Sequence, residues 1–380
     1  MAVTGPLRSA DLHFVPEIVF GRGTLERVGS IARGYGQRAL VVTDRGLRAS
    51  GLVERVVTSL AEAGVAAVVF DGVQPNPTIA NVEAGLEAGA GRDIAVLVSV
   101  GGGSAHDCAK TIALVAANGG AVRDYEGFDR SPRRGMPLIA VNTTAGSGAD
   151  VSRFAVITDP DRSLKMIIVD RHLMPRVAIN DPLTTLGLPR GVTVATGMDA
   201  LTHAVEAIVS TSASDVSDLF AVRSLELAVG CLPRVVRDGG DVDARDGMLL
   251  AATLAGLAID SASAGAVHAL AHQLGARFDL PHGVCNGILL PVVAAFNLPA
   301  ARDRYAIVGR ALGVHGDRGV PAALRSLGSR VGLPSGLASL GVERSSLPAL
   351  VDGALADMCM TTNPRPMSPA DVLALYERAL

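Results

Sequence analysis

The chain has 380 residues, more than one ordinary hydrophobic core accommodates, so two domains are expected. A formal net charge of −3 without a basic tract excludes the electrostatic footprint of a nucleic-acid or anionic-membrane binder. Four scattered cysteines without a CxxC pair exclude a disulfide framework and suit reduced thiols in a cytoplasmic protein. No signal-like N-terminus and no uninterrupted apolar run of bilayer length is found, so no membrane partner is expected.

Aromatic residues make up only 3% of the chain and Trp is absent, so the core is expected to be built from Ala, Val, Leu and Ile. Residues 18–20 form a short apolar run, followed after Gly21 and Gly23 by a helix-like stretch to Arg33. Residues 38–43 read as a buried strand ending at Asp44. Helical periodicity over 51–63 precedes a strand over 65–70. After the turn cluster 71–77, Thr78 is a predicted N-cap for a helix to about residue 90. The strand 94–100 runs through a glycine turn into a helix reaching residue 117, and 138–141 is a further strand. Such continuously apolar strands, alternating with helices, indicate a parallel sheet covered on both faces. A small β excursion is expected over 154–158 and 166–169. Beyond Pro182 only helical segments follow: 192–210, 215–237, 242–260, 266–277, 283–297, 302–312 and shorter ones. The expected organisation is an α/β domain over 1–188 and an all-helical domain over 189–380.

Two loops carry ligand chemistry. In VSVGGGSAHDCAK (98–110), Gly101, Gly102, Gly103 and Ser104 link a strand to a helix. Without Cβ atoms the backbone N–H groups approach a ligand closely, and the helix start behind them favours an anion such as a pyrophosphate. Neither the GxGxxG fingerprint nor a P-loop is matched. NTTAGSG (142–148) ends another strand, and two such loops at strand C-terminal ends suit a nucleotide crossing the sheet edge.

Asp199 and His203, in GMDALTHAVE (197–206), stand one helical turn apart on one face. Three of the eight histidines, His268, His272 and His282, fall within GAVHALAHQLGARFDLPHG (265–283). Imidazole and carboxylate donors without thiolate suit Fe(II), Zn(II) or Mn(II). Spacing alone does not say which of His268 and His272 is a ligand.

Jointly these stretches resemble the iron-containing (group III) alcohol dehydrogenase family, nearest its methanol and short-chain primary alcohol dehydrogenases. The resemblance runs from IVFG (18–21) through PNP (75–77), GGGSAHDCAK (101–110), TTAG (143–146) and AINDP (178–182) to the two helical blocks. It implies a Rossmann-like parallel sheet followed by an all-α domain, as in the dehydroquinate synthase-like fold. Asp199, His203, His268 and His282 match the family's metal ligands, and His272 the histidine that relays a proton or contacts the nicotinamide. Gly101, Gly102, Gly103 and Ser104 match its pyrophosphate loop, and Thr143, Thr144 and Ser147 the loop near the phosphates and nicotinamide. Asn76, Asp107 and Lys165 are assigned to the cofactor on the same resemblance. Asp44 matches the acidic position associated with NAD rather than NADP; its alternative reading is a helix or turn cap. SGAD (147–150) departs from the family's Thr-Gly-Ser-Glu while keeping a hydroxyl and a carboxylate. Ala264 and Ala266 replace larger residues of methanol-type members, which widens the pocket if they line it.

The resemblance implies NAD(H)-linked interconversion of a short-chain primary alcohol and its aldehyde. It further implies Fe(II) as the metal, with Zn as the alternative, and a homodimer or larger homo-oligomer. Two other readings stay open at this point. One is reduction of an aldehyde bearing a carboxylate or phosphonate, held by Arg153 or Arg277. The other is a metal-dependent hydrolase.

Overall fold

Apolar runs set the strands of the first half, and glycine or capped turns end them. The computed structural model describes Arg8, residues 16–162 and residues 164–380. Two compact units divide at Leu188 and Pro189, and Arg8 belongs with the second, donating to Asp215 and Asp218 at 2.8 Å each.

The first unit runs β1 (Glu17–Phe20), α1 (Val28–Arg33), β2 (Arg38–Val42), α2 (Arg45–Ala49), α3 (Leu52–Glu62), β3 (Ala66–Phe70), α4 (Ile79–Gly89), β4 (Val96–Gly101) and α5 (Gly103–Asn118). It continues with β5 (Gly127–Phe128), β6 (Leu138–Asn142), β7 (Phe154–Asp159), β8 (Leu164–Val169) and β9 (Val177–Asn180). Six strands form one parallel sheet in the order β1-β9-β6-β4-β2-β3, and β5, β8 and β7 form a small second sheet. Alternation along β2 sends Leu40 and Val42 to one face, where they meet Val82, Cys108 and Ile112. Ala39 and Val41 go to the other face, with Val28, Val53 and Val56. Both faces are therefore covered, which is why the strands are continuously apolar. Because β2 pairs with β3 on one side and β4 on the other, the order reverses between β2 and β4. The carboxyl ends flanking such a reversal are the usual ligand site of an open parallel sheet.

One sheet strand is not announced by sequence periodicity. β9 has only four residues, all buried, and it lies between β1 and β6. Thr78 caps α4, its side chain accepting from Asn81 N within a capping box.

In the second unit the helices are α6 (Arg190–Val209), α7 (Asp215–Arg237), α8 (Val242–Ala262), α9 (Ala266–Phe278), α10 (His282–Asn297), α11 (Arg302–Ala311), α12 (Val320–Val331), α13 (Val351–Ala356) and α14 (Pro369–Ala379). Residues around most of the circumference of α6 are buried, as suits a central helix, and it packs against α7, α8 and α10. Between α8 and α9 the chain bends by 105°, with Ser263 at φ 61°. Residues 282–300 are apolar and long enough to cross a bilayer by length and composition. Two-thirds of that stretch is buried inside the protein, as in a core helix.

Candidate active site

Asp199, His203 and Glu206 occupy one face of α6 at i, i+4 and i+7, so a single buried helix presents two carboxylates and an imidazole. His268 comes from α9 and His282 is the first residue of α10. α10 meets α6 backbone to backbone, since a Cβ on Gly283 would lie 1.9 Å from Ala195 O. That contact brings His282 to the carboxylate. Asp199 Oδ1 lies 3.7 Å from His203 Nε2, 3.7 Å from His268 Nε2 and 3.6 Å from His282 Nε2. Donors about 2.1 Å from a common tetrahedral centre stand about 3.4 Å apart, so each of the three imidazole nitrogens lies near the distance from the carboxylate oxygen that sharing a divalent ion requires, and Asp199, His268 and His282 are mutually close. The donor set fits such an ion. His282 is the most exposed of the four, with 27% of its side chain accessible against 5–9% for the others, so the cage opens on its side.

Electrostatics favour a cation here. Burial alone would raise the Asp199 carboxyl, but His203, His268 and His282 overcome that and hold it well below the usual carboxylate range. Burial likewise disfavours charge on His268, yet Glu206 and Asp199 push it up to about 10. Glu206 accepts from His268 Nδ1 with one oxygen and from Val267 N at 2.7 Å with the other. It thus satisfies an N–H at the start of α9, whose N-cap is a glycine, and turns the His268 Nε2 lone pair toward the cage. Asn286 Nδ2 donates to Asp199 Oδ1 at 2.8 Å and lies 3.1–3.2 Å from His282 Nε2 and His268 Nε2. His272 stands beside the cage with its ring stacked on His282 (5.3 Å, 14°) and its Nδ1 2.8 Å from Asp357 Oδ2.

Within the α/β unit the glycine turn follows β4. Gly101 ends that strand, Gly102 is the N-cap of α5, and Gly103 and Ser104 form its first turn. The 142–148 loop leaves the neighbouring strand and packs onto this turn. A Cβ on Gly102 would lie 2.8 Å from Thr144 Oγ1, and one on Gly103 2.9 Å from Ser147 Oγ. Thr143 N donates to Gly101 O at 3.0 Å, and Thr144 N to Asn142 Oδ1 at 3.1 Å. Behind the turn, His106 Nδ1 pairs with Ser99 Oγ at 2.8 Å, and burial holds the imidazole down at about 3. Asp44 follows β2 and caps α2, accepting from Leu47 N at 2.8 Å. Lys165 Nζ donates to Asn76 Oδ1 at 2.8 Å, which joins two of the expected cofactor residues. Asp107 accepts from Val156 N at 3.1 Å, and burial pushes its carboxyl up to about 6.

Ala266 is fully buried, and Ala264 packs with Ala269, Cys359, Met358 and Met360. Arg277 is exposed on the last turn of α9. Sequence reasoning passed over Glu206, Asn286 and Asp357. Glu206 at seven residues from Asp199 and Asn286 at four from His282 carry helical-face signals that identify them. Asp357 is 85 residues from His272 and has no local signal.

Residues 16–182 match the family model for iron-containing alcohol dehydrogenase, and residues 193–380 match the model for the C-terminal part of that family. Alcohol dehydrogenase 4 of Schizosaccharomyces pombe is 44% identical over 97% of this chain and 88% of its own length. The NAD-dependent methanol dehydrogenase of Bacillus methanolicus is 40% identical over 96% of this chain and 98% of its own. A crystal structure of a 1,3-propanediol oxidoreductase superposes with a TM-score of 0.96 at 39% identity, covering 98% of this chain and all of the other. With its α/β half and its helical half each matched, the chain belongs to the iron-containing alcohol dehydrogenase family, and it is an oxidoreductase that interconverts alcohols and aldehydes.

Proposed function

We propose that this chain is an Fe(II)-dependent, NAD-linked dehydrogenase of short-chain primary alcohols, with the metal held by Asp199, His203, His268 and His282. The observation that carries this reading is the convergence of three imidazole Nε2 atoms within 3.6–3.7 Å of one buried carboxylate oxygen. Similarity to an NAD-dependent methanol dehydrogenase supports both the cofactor and the substrate class. When bound, the divalent ion supplies Lewis acidity toward the substrate oxygen and the nicotinamide takes or returns the hydride.

The chain's own residues do the rest. Glu206 holds His268 with its lone pair toward the ion, and Asn286 fixes the Asp199 carboxylate by donating to the oxygen shared among the ligands. His272 takes the hydroxyl proton through Nε2, because Nδ1 is committed to Asp357. Residues 101–104 bind the pyrophosphate with main-chain N–H groups at the start of α5, and Thr143, Thr144 and Ser147 border it. Asp44 discriminates for NAD by accepting from a ribose hydroxyl, a role compatible with one of its oxygens capping α2. The α/β unit is the dinucleotide-binding domain and the helical unit the metal and substrate domain.

A metal-stripping experiment tests this. Protein purified anaerobically is treated with a chelator, refilled with Fe(II) or Zn(II), and assayed for NADH formation from a panel of primary alcohols. Turnover should vanish with the metal, return best with Fe(II), and favour NAD over NADP. Full turnover by the stripped protein would sink the assignment. Retained hydrolytic activity without nicotinamide would support the hydrolase reading instead.

A further inference from the structure

We propose that Asp357 is a positioning residue that sets the orientation and tautomer of His272, and that the turn 357–363 exists to hold it there. The inference rests on the reading of His272 as the proton carrier.

His272 Nδ1 lies 2.8 Å from Asp357 Oδ2, and both side chains are almost completely buried. An ionised carboxylate only accepts, so the hydrogen resides on Nδ1 and the Nε2 lone pair is left to receive a proton. The carboxylate is itself fixed. Asp357 Oδ1 accepts from Cys359 N at 2.9 Å as the cap of the turn Met358–Thr362. Rotating the carboxylate toward another partner therefore breaks one of these two hydrogen bonds.

The turn is tied at its far end to three other parts of the helical unit. Thr211 N donates to Thr362 O at 3.0 Å, and Thr362 Oγ1 donates to Ala264 O beside the start of α9. Asn363 and Asn297, at the end of α10, exchange side-chain hydrogen bonds of 2.7 and 2.9 Å. Asp357 is thus referenced to the two helices that carry His268, His272 and His282. With His282 against the face of the His272 ring and Asp357 at its edge, both the tilt of the ring and its rotation about Cβ–Cγ are set. Asp357 acts through that ring.

The test is a double-mutant cycle on the metal-loaded enzyme, comparing wild type, Asp357→Asn, His272→Ala and the double variant, with Asp357→Glu as the conservative control. An amide offers one acceptor oxygen and one NH2 donor, so with the oxygen on Cys359 N, Asp357→Asn presents its NH2 to His272 Nδ1 and puts the ring hydrogen on Nε2, the wrong tautomer, while keeping size. It should lower kcat roughly tenfold to a hundredfold, the usual range for residues that orient a functional histidine, with metal content and the KM for NAD unchanged. Asp357→Glu should regain part of the loss. In the His272→Ala background Asp357→Asn should cost nothing further, because its effect passes through the ring. An equal loss in that background would assign Asp357 a purely structural role and overturn the proposal, as would wild-type kcat in Asp357→Asn. Wild-type kcat in His272→Ala alone would remove the proton-carrier reading and the inference with it, a failure visible without any Asp357 variant.

Discussion

In the α/β unit the atoms offered to a ligand at the glycine turn are main-chain N–H groups, presented where Gly102 and Gly103 have no Cβ and the Thr144 and Ser147 side chains close in. In the helical unit every proposed metal donor is a side-chain atom, drawn from α6, α9 and α10, with the helix backbones serving only as supports. The first kind of site is a shape and the second a set of chemical groups. Added bulk therefore injures the former and lost charge the latter, and each injury should leave the other site's ligand in place.

The largest separation is expected from Asp199→Asn. Losing the carboxylate that faces three imidazoles should empty the metal site and lower kcat at least about a thousandfold, equivalent to about 4 kcal/mol of transition-state stabilisation. NADH binding, followed by fluorescence, should be unchanged. Retained metal by elemental analysis would break the contrast. Glu206→Gln should act more mildly, weakening metal affinity roughly tenfold to a hundredfold in a chelator competition, because His268 keeps its lone pair but loses the carboxylate that orients it.

Gly102→Ala tests the other kind of site. Its Cβ would sit 2.8 Å from Thr144, so the loop must shift, and NADH should bind roughly tenfold more weakly, about 1.4 kcal/mol, with full metal content. Adding Thr144→Ala should recover most of that affinity. A loss that persists in the double variant would show that main-chain strain, rather than contact with Thr144, is responsible.

The last effect is on stability and concerns neighbours behind the glycine turn. His106 is held down at about 3, below its ordinary 6.5, so between those values the unfolded chain binds a proton that the folded chain does not, and stability falls on acidification. Asp107 is pushed up to about 6 from 3.8, so between those values the folded chain binds the extra proton, and stability rises on acidification. From pH 6 to about 4 the two slopes oppose each other. Asp107→Asn should expose the histidine slope, at most about 1.4 kcal/mol of lost stability per pH unit over that window. Denaturant midpoints at pH 4 and 6 measure it, and parallel behaviour of variant and wild type would show that Asp107 does not titrate there.

Much of the α/β half is legible because buried strands must be apolar and their ends must turn. β9 escapes because four residues are too few to display a period, although it is paired on both sides, by β1 and β6. The histidine cluster is visible as repeated spacing on helices. Glu206 and Asn286 share those helices and follow from the same periodicity once the ligands are assigned. Asp357 reaches His272 only through tertiary structure, and no local pattern in the chain encodes a pairing across 85 residues. Asp44 shows a different limit. Its position after a strand identifies it equally well as a helix cap or a nucleotide contact, and the cap to Leu47 N is compatible with both.

The backbone contact at Gly283 has a consequence for which ion the protein keeps. With Ala195 O where a side chain would begin, the gap between α6 and α10 is already at its minimum, like a gauge block set between two jaws. With the proposed ligand set, ionic radius would be selected by the spacing of two helices as well as by the identity of the donors. Gly283→Ala should therefore weaken the grip on a small ion while retaining all four proposed ligands, through one methyl group at a position outside that donor set.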